Sequence, residues 1–206
     1  IEAGVRTGNI HSPEEVNRKL CDHISTINFS PTKLSYQNLK DEGLVDSQNI
    51  YCGDVMYDMV INTKLKKLEI DLPKRYVLAT IHRQENTDQN EILNNIFLNL
   101  MNLAKNINII FPMHPRTKQR LKEINLYDIV CKSLNVIEPQ SYNNLLNLIK
   151  YSEMVVSDSG GVPKEAAFLK TPSIFIGEQI VWTELLEQNW SYLITPEKIN
   201  KLITVY

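Results

Sequence analysis

Cysteine is scarce in this chain. There are three in 206 residues, Cys21, Cys52 and Cys131, with no Cys-x-x-Cys among them. An odd, scattered set of thiols suits a reducing cytoplasm and argues against a disulfide framework or a zinc site. Long apolar runs are missing too. None approaches the ~20 residues that a membrane helix needs. Neither sign of charge dominates, since 22 Lys and Arg face 24 Asp and Glu for a formal charge of −2. Without a broad basic field, neither nucleic acid nor an anionic membrane is an expected partner. The sequence also lacks solenoid-period repeats, low-complexity tracts, a Walker A loop and a Gly-x-Gly-x-x-Gly fingerprint.

What is present is organised around Ser157-Asp158-Ser159-Gly160-Gly161-Val162-Pro163-Lys164-Glu165. The apolar run Met154-Val155-Val156 before it reads as a buried parallel strand. After it, Val162, Ala166, Ala167 and Leu169 fall at helical spacing, with Pro163 where a first turn accepts it. Ser173-Ile174-Phe175-Ile176 reads as the next strand. A strand, a tight glycine turn and a helix start suit an anion such as a phosphate, because the first amides of a helix have no internal partner. Ser159 adds a hydroxyl donor. Glu165, one turn further in, could accept from sugar hydroxyls as the acidic residue of nucleotide-binding folds does. An ordinary αβ turn, with glycines used only for the bend, is the bland alternative.

The rest of the chain alternates. Ile1 to Arg6 reads as a strand end turning at Gly4. Ser12-Pro13-Glu14-Glu15 predicts a helix with a capping box between Ser12 and Glu15, and Val16, Leu20, Ile24 and Ile27 repeat on one face. Ile27 to Phe29 and Ile50 to Cys52 are short strand candidates, separated by a helix that starts at Ser30-Pro31-Thr32 and ends at Gly43. A helix follows Gly53-Asp54. The Lys-rich stretch from Lys64 to Lys74 is the best linker candidate. Strands are then expected at Tyr76 to Thr80, Ile107 to Phe111, Leu134 to Ile137 and Tyr192 to Ile194. Between them lie helices carrying Ile92 to Leu103, Thr117 to Ile124, Asn143 to Tyr151, and Trp182 to Leu186, with a last helix from Pro196. Such alternation means βαβ units and a parallel sheet. The chain opens at Ile1 without a methionine and stops at Tyr206 within a helical pattern, so a longer protein is expected at both ends.

Ligands of such sheets bind outside the carboxyl ends of the strands. The polar residues gather there. His82, Arg83 and Glu85 follow one strand, His114 and Arg116 a second, Gln140 a third, and Asp158 to Gly161 a fourth. His11 and His23 read as structural.

Glu2-Ala3-Gly4-Val5-Arg6-Thr7-Gly8, Pro13-Glu14-Glu15 with Asn17-Arg18, His82-Arg83-x-Glu85-Asn86, His114-Pro115 and Asp158-Ser159-Gly160-Gly161 with Glu165 occur in one order. As a set they resemble the non-hydrolysing UDP-N-acetylglucosamine 2-epimerases, over nearly the whole chain. The resemblance implies an α/β, GT-B-like fold of two Rossmann-like domains with parallel sheets. Residues 1–52 would be the C-terminal part of an incomplete N-terminal domain, and residues 53–206 the UDP-binding domain. The nucleotide sugar would lie in the cleft between them. It further implies that Ser159, Gly160 and Gly161 hold the diphosphate, that Glu165 binds the ribose, and that Gln140 and the backbone near Leu145 border the uracil. His82 would lie beside the diphosphate and sugar, Arg83 and His114 would help bind the substrate, and Glu2 and Glu14 would be the acid/base carboxylates. The implied reaction inverts C2 by eliminating UDP across C1–C2 and adding it back, with no nicotinamide or metal cofactor and a homodimer as the full-length state.

Two departures stand out. The family's opening segment, with a Gly-Asp motif and a basic cleft residue, is absent here, so this chain alone is expected to be inactive. Gly177-Glu178-Gln179-Ile180-Val181-Trp182 replaces the family's usual Arg-Asp-x-x-Glu. That loop, with His82 to Thr87, leans toward relatives acting on UDP-2,3-diacetamido-2,3-dideoxy-glucuronic acid. A GT-B glycosyltransferase and a nucleotide-sugar-binding module without turnover are the other readings. Glu2 and Pro13-Glu14-Glu15 favour the epimerase, because a transferase has no need for that pair.

Overall fold

A computed structural model describes residues 1–65 and 72–201. The middle of the expected Lys-rich linker and the end of the last expected helix lie outside the described residues. The chain forms two compact units, Ile1–Asn62 and Thr63–Tyr206. The division falls after Asn62, so the helix that follows Gly53-Asp54 groups with the first unit.

The first unit holds helix α1 (Pro13–Ile24), strand β1 (Asn28–Ser30), helix α2 (Lys33–Asp41), strand β2 (Asn49–Tyr51) and helix α3 (Val55–Asn62). β1 and β2 pair in parallel, Asn28 opposite Asn49. Thr32 caps α2, its hydroxyl oxygen accepting from the Ser35 amide at 3.0 Å, and Gly43 beyond the helix end takes φ +84°. That is the usual use of a glycine just past a helix C-terminus.

Three expectations fail in this unit. Residues 1–6 are not a strand; the Ala3 amide donates to the Phe29 carbonyl at 3.0 Å, and the chain then turns away. There is no capping box. Ser12 makes no side-chain cap, and the carboxylate of Glu15 instead accepts from the amides of Thr7 and Gly8, both at 3.0 Å. Three donors in the preceding loop, the Thr7 hydroxyl among them, outweigh the single amide a capping box would satisfy. The buried side of α1 is therefore its polar one, with Glu15 and Asp22 inside. Val16, Leu20 and Ile24 face outward in this chain, at 44, 58 and 81% exposure.

The second unit is a doubly wound sheet. Its strands are β3 (Tyr76–Thr80), β4 (Asn108–Pro112), β5 (Asn135–Ile137), β6 (Met154–Ser157), β7 (Ser173–Ile176) and β8 (Ser191–Ile194). They lie in the order β5-β4-β3-β6-β7-β8, all parallel. Every residue of β3, β6 and β7 is buried, as expected of strands covered on both faces. Helix α5 (Asn90–Leu103) packs Leu93, Ile96, Phe97, Leu100 and Leu103 against the sheet, all fully buried. Each contributes roughly 1.5–3 kcal/mol. Phe97 meets Phe111 edge-on, with centroids 5.3 Å apart. Buried Tyr76 donates its hydroxyl to the Leu148 carbonyl at 2.9 Å, and burial pushes that phenol up to about 12.

The remaining helices are α4 (Gln84–Thr87), α6 (Pro115–Glu123), α7 (Tyr127–Ser133), α8 (Tyr142–Tyr151), α9 (Val162–Phe168) and α10 (Thr183–Glu187). Neither α4 nor α7 was anticipated. Both are too short for apolar periodicity to announce them. Pro196–Lys201 is a 3-10 helix.

Candidate active site

The strand order reverses between β3 and β6. The chain runs from β3 outward through β4 to β5 on one side, and from β6 through β7 to β8 on the other. The loops leaving the carboxyl ends of β3 and β6 therefore diverge, and a crevice opens at that switch point. Those two loops carry His82-Arg83 and Asp158-Ser159-Gly160-Gly161.

Asp158 joins them. Its side chain is fully buried and accepts from the His82 amide at 3.0 Å to each oxygen, from the Arg83 amide at 2.9 Å and from Asn86 Nδ2 at 3.2 Å. A buried carboxylate is tolerable only with such partners. At the strand ends just below, the Thr80 and Ser157 hydroxyls pair at 2.7 Å, and the Ser159 amide donates to Ser157 Oγ at 3.0 Å. The Arg83 guanidinium lies 5.9 Å from the centroid of the Phe175 ring. A Cβ added at Gly160 would come 3.0 Å from Arg83 Nη2, so the glycine admits the cation to the turn.

His114, at the end of β4, stands with its ring centroid 5.6 Å from that of His82. It caps α6, its Nδ1 accepting from the Arg116 amide at 3.2 Å. Arg116 itself is engaged within the protein, on both oxygens of Asp88 at 3.0 and 2.9 Å and on Thr87 Oγ1 at 3.2 Å.

Glu165 is buried in the first turn of α9. Burial pushes its carboxyl up, against the opposing pull of a hydrogen bond from Tyr142 and the charge of Lys164. The Lys164 ammonium lies 3.5 Å above the Trp182 ring, so the altered 177–182 loop packs its tryptophan on this helix. Tyr142 escaped the sequence reading; it opens α8 just after Gln140, and a hydroxyl facing a carboxylate from another element leaves no spacing signal. Gln140 is held by the Glu138 carbonyl at 2.7 Å and by Asn144 Nδ2 at 3.0 Å. The Leu145 amide is bonded to the Ser141 carbonyl at 2.8 Å.

In the first unit, Glu2 is exposed and holds a left-handed φ of +61°, a conformation that costs a non-glycine residue about 1–2 kcal/mol. Gly4, two residues on, donates its amide to Asp22 at 2.9 Å. Arg6 locks the turn by binding Asp22 and, through two nitrogens, Glu42, all at 2.7 Å. Glu14 is exposed and accepts from the Ser12 hydroxyl at 2.7 Å. Glu15 is the opposite case. Burial would raise its carboxyl, but the Thr7 and Gly8 amides, the Thr7 hydroxyl and Arg18 hold it below the usual range. Of this adjacent pair, Glu14 is the exposed one. Among the described residues, no group of His, Cys, Asp and Glu could hold a metal ion. Nor is any described helix long and apolar enough to cross a membrane.

A sequence model of the family described as UDP-N-acetylglucosamine 2-epimerase matches residues 1–204. A protein of Methanococcus maripaludis named as a homolog of that enzyme is 40% identical over 96% of this chain and 58% of its own length. A UDP-2,3-diacetamido-2,3-dideoxy-D-glucuronate 2-epimerase of Pseudomonas aeruginosa is 35% identical over 90% of this chain and 53% of its own. Among solved structures, the UDP-GlcNAc 2-epimerase of Methanocaldococcus jannaschii, in complex with UDP-GlcNAc and UDP, superposes with a TM-score of 0.87. It is 36% identical and is matched over all of this chain and 60% of its own. The chain thus spans somewhat more than half the length of these relatives, and shares their α/β class with parallel strands. It belongs to the UDP-N-acetylglucosamine 2-epimerase family.

Proposed function

We propose that the protein carrying this chain inverts C2 of a UDP-N-acetylhexosamine, converting UDP-N-acetylglucosamine to UDP-N-acetylmannosamine. The observation that carries the reading is the placement of His82, Arg83 and the Ser159-Gly160-Gly161 turn together at the switch point of a parallel sheet. A diphosphate suits that spot. Glycine lets it approach the backbone, and Arg83 supplies charge-assisted hydrogen bonds. Glu165 and Tyr142 would meet the ribose, with Gln140 and the backbone near Leu145 beside the uracil.

In the reaction a base takes the C2 proton while the C1–O bond breaks and UDP departs, leaving a glycal. UDP then adds back at C1, and a proton is delivered to the other face of C2. Glu2 and Glu14 are assigned the proton transfers on the family resemblance. His82 and Arg83 would stabilise the departing diphosphate, whose charge grows in the transition state. The fold class is shared with glycosyltransferases and does not by itself select the epimerase; the Glu2 and Glu14 motifs do. A cytoplasmic site of action rests on the three free cysteines. A homodimer rests on the resemblance.

A second reading keeps the chemistry and changes the sugar to UDP-2,3-diacetamido-2,3-dideoxy-glucuronic acid. It is favoured by the 177–182 loop, which puts Trp182 on Lys164 and carries no arginine. One experiment separates the readings. The complete reading frame containing this chain is incubated with each UDP-sugar in D2O, and C2 is followed by proton NMR. Epimer with deuterium at C2 from UDP-N-acetylglucosamine supports the first reading; exchange only with the diacetamido-uronate supports the second. No exchange with either sugar would overturn both.

A further inference from the structure

The nitrogens of His82 and His114 face unlike partners. His82 Nδ1 lies 3.7 Å from Asp158 Oδ1, a buried carboxylate oxygen. That oxygen also accepts the His82 amide, so one anion holds the backbone of the residue and stands beside its ring. An ionised carboxylate can only accept, and a ring lone pair turned toward it is repelled. In the neutral ring, the proton of His82 therefore sits on Nδ1, and Nε2 is left as an acceptor. His114 is set the other way. Its Nδ1 accepts the Arg116 amide at the start of α6, so that nitrogen carries no proton and Nε2 carries the N–H.

We propose that Asp158 and the first turn of α6 are positioning groups that fix His82 and His114 as opposite neutral tautomers. The crevice is then equipped with one acceptor nitrogen and one N–H donor on rings 5.6 Å apart. Both rings reach solvent, while the groups that set them are fixed: Asp158 is fully buried, and the Arg116 amide belongs to the helix backbone. Nothing has to rotate when a ligand arrives. A phosphate oxygen meets a ready donor at His114, and a ligand hydroxyl meets a ready acceptor at His82 Nε2. Asp158 also ties three strand ends together, since Asn86 Nδ2 reaches both it and the Ile176 carbonyl, at 3.2 and 3.4 Å.

The value of this arrangement for turnover rests on the epimerase reading above, but the tautomers themselves do not, and they are read directly. Long-range proton–nitrogen NMR of the nitrogen-15-labelled chain at about pH 9, where ordinary imidazoles are neutral, distinguishes the protonated from the bare ring nitrogen. His82→Gln assigns the signals, and His11 is an exposed internal reference. The expected spectrum has His82 protonated on Nδ1 and His114 on Nε2. In Asp158→Asn, His82 should move toward the Nε2–H form while His114 stays as it was. The proposal is overturned if the two rings share a tautomer in the native chain, or if a folded Asp158→Asn leaves His82 unchanged. Should that variant fail to fold, the native spectrum decides alone. Opposite tautomers in a protein that exchanges no C2 proton would count against the epimerase reading and leave this one standing.

Discussion

Replacing Gly4 by alanine should disable the first unit while leaving the second intact. Gly4 has φ +80°, and a Cβ built there would stand 1.9 Å from the Ser35 carbonyl oxygen, 2.7 Å from the Ser35 carbonyl carbon and 2.9 Å from Leu39 Cγ. The first two are backbone atoms near the start of α2, where the Thr32 cap holds the helix, and Leu39 is fully buried. None can swing aside as the end of a flexible side chain would. The left-handed backbone costs alanine about 1–2 kcal/mol, and forcing a methyl into packed surroundings adds about 1–3 kcal/mol. Gly8 provides the control. It has φ +77° with nothing within 4 Å of its virtual Cβ, so Gly8→Ala isolates the backbone term. Urea unfolding by circular dichroism, with hydrogen exchange at the Ala3 amide, reads the first unit. Both tryptophans, Trp182 and Trp190, lie in the second, and their fluorescence should report an unchanged transition there. The expected result is that Gly4→Ala exceeds Gly8→Ala by at least about 1 kcal/mol, the lower end of the overpacking range. Equal losses would refute the steric argument.

Further outcomes follow from the charged groups. Glu15 titrates below its unfolded value, so the stability it adds is present above the ordinary carboxylate pKa and is lost as pH falls through the depressed one. Glu15→Gln should therefore destabilise the first unit by about 1–3 kcal/mol at neutral pH, the gap closing in acid; a gap independent of pH would sink the assignment. Glu165 has the opposite sign. Its folded pKa is raised, so the native state holds the proton longer, and stability declines as pH rises from the unfolded value to the folded one. Glu165→Gln should remove that slope from tryptophan-detected unfolding, and Lys164→Met should extend it to higher pH because the ammonium holds the carboxyl down. Arg83→Ala should weaken UDP binding about tenfold to about 100-fold by calorimetry, the worth of one charge-assisted hydrogen bond at about 1.5–3 kcal/mol. Unchanged affinity would remove Arg83 from the proposed site.

Most of the second unit was legible in the sequence, the short helices α4 and α7 excepted. Strands such as Met154 to Ser157 and Ser173 to Ile176, buried on both faces, read as short apolar runs. The α5 stripe from Leu93 to Leu103 has the period that burial of one helix face demands. The glycine turn and the strand-end histidines could be found for the same reason, because a parallel sheet sends its loops to one edge. Tertiary structure alone decided which polar residue serves which purpose. Glu14 and Glu15 are neighbours of one type, yet one is open and the other is buried under two amides, a hydroxyl and an arginine. Arg83 and Arg116 both follow strands, yet among the described residues only the Arg116 side chain pairs with an aspartate, Asp88. The polar face of α1 turned inward because Arg6 and the loop at Thr7 offer it charge and hydrogen bonds, which periodicity does not count. Apolar burial depends on spacing along one element and can be read locally. Hydrogen bonds and ion pairs depend on which atoms meet across elements, and only the folded chain settles that.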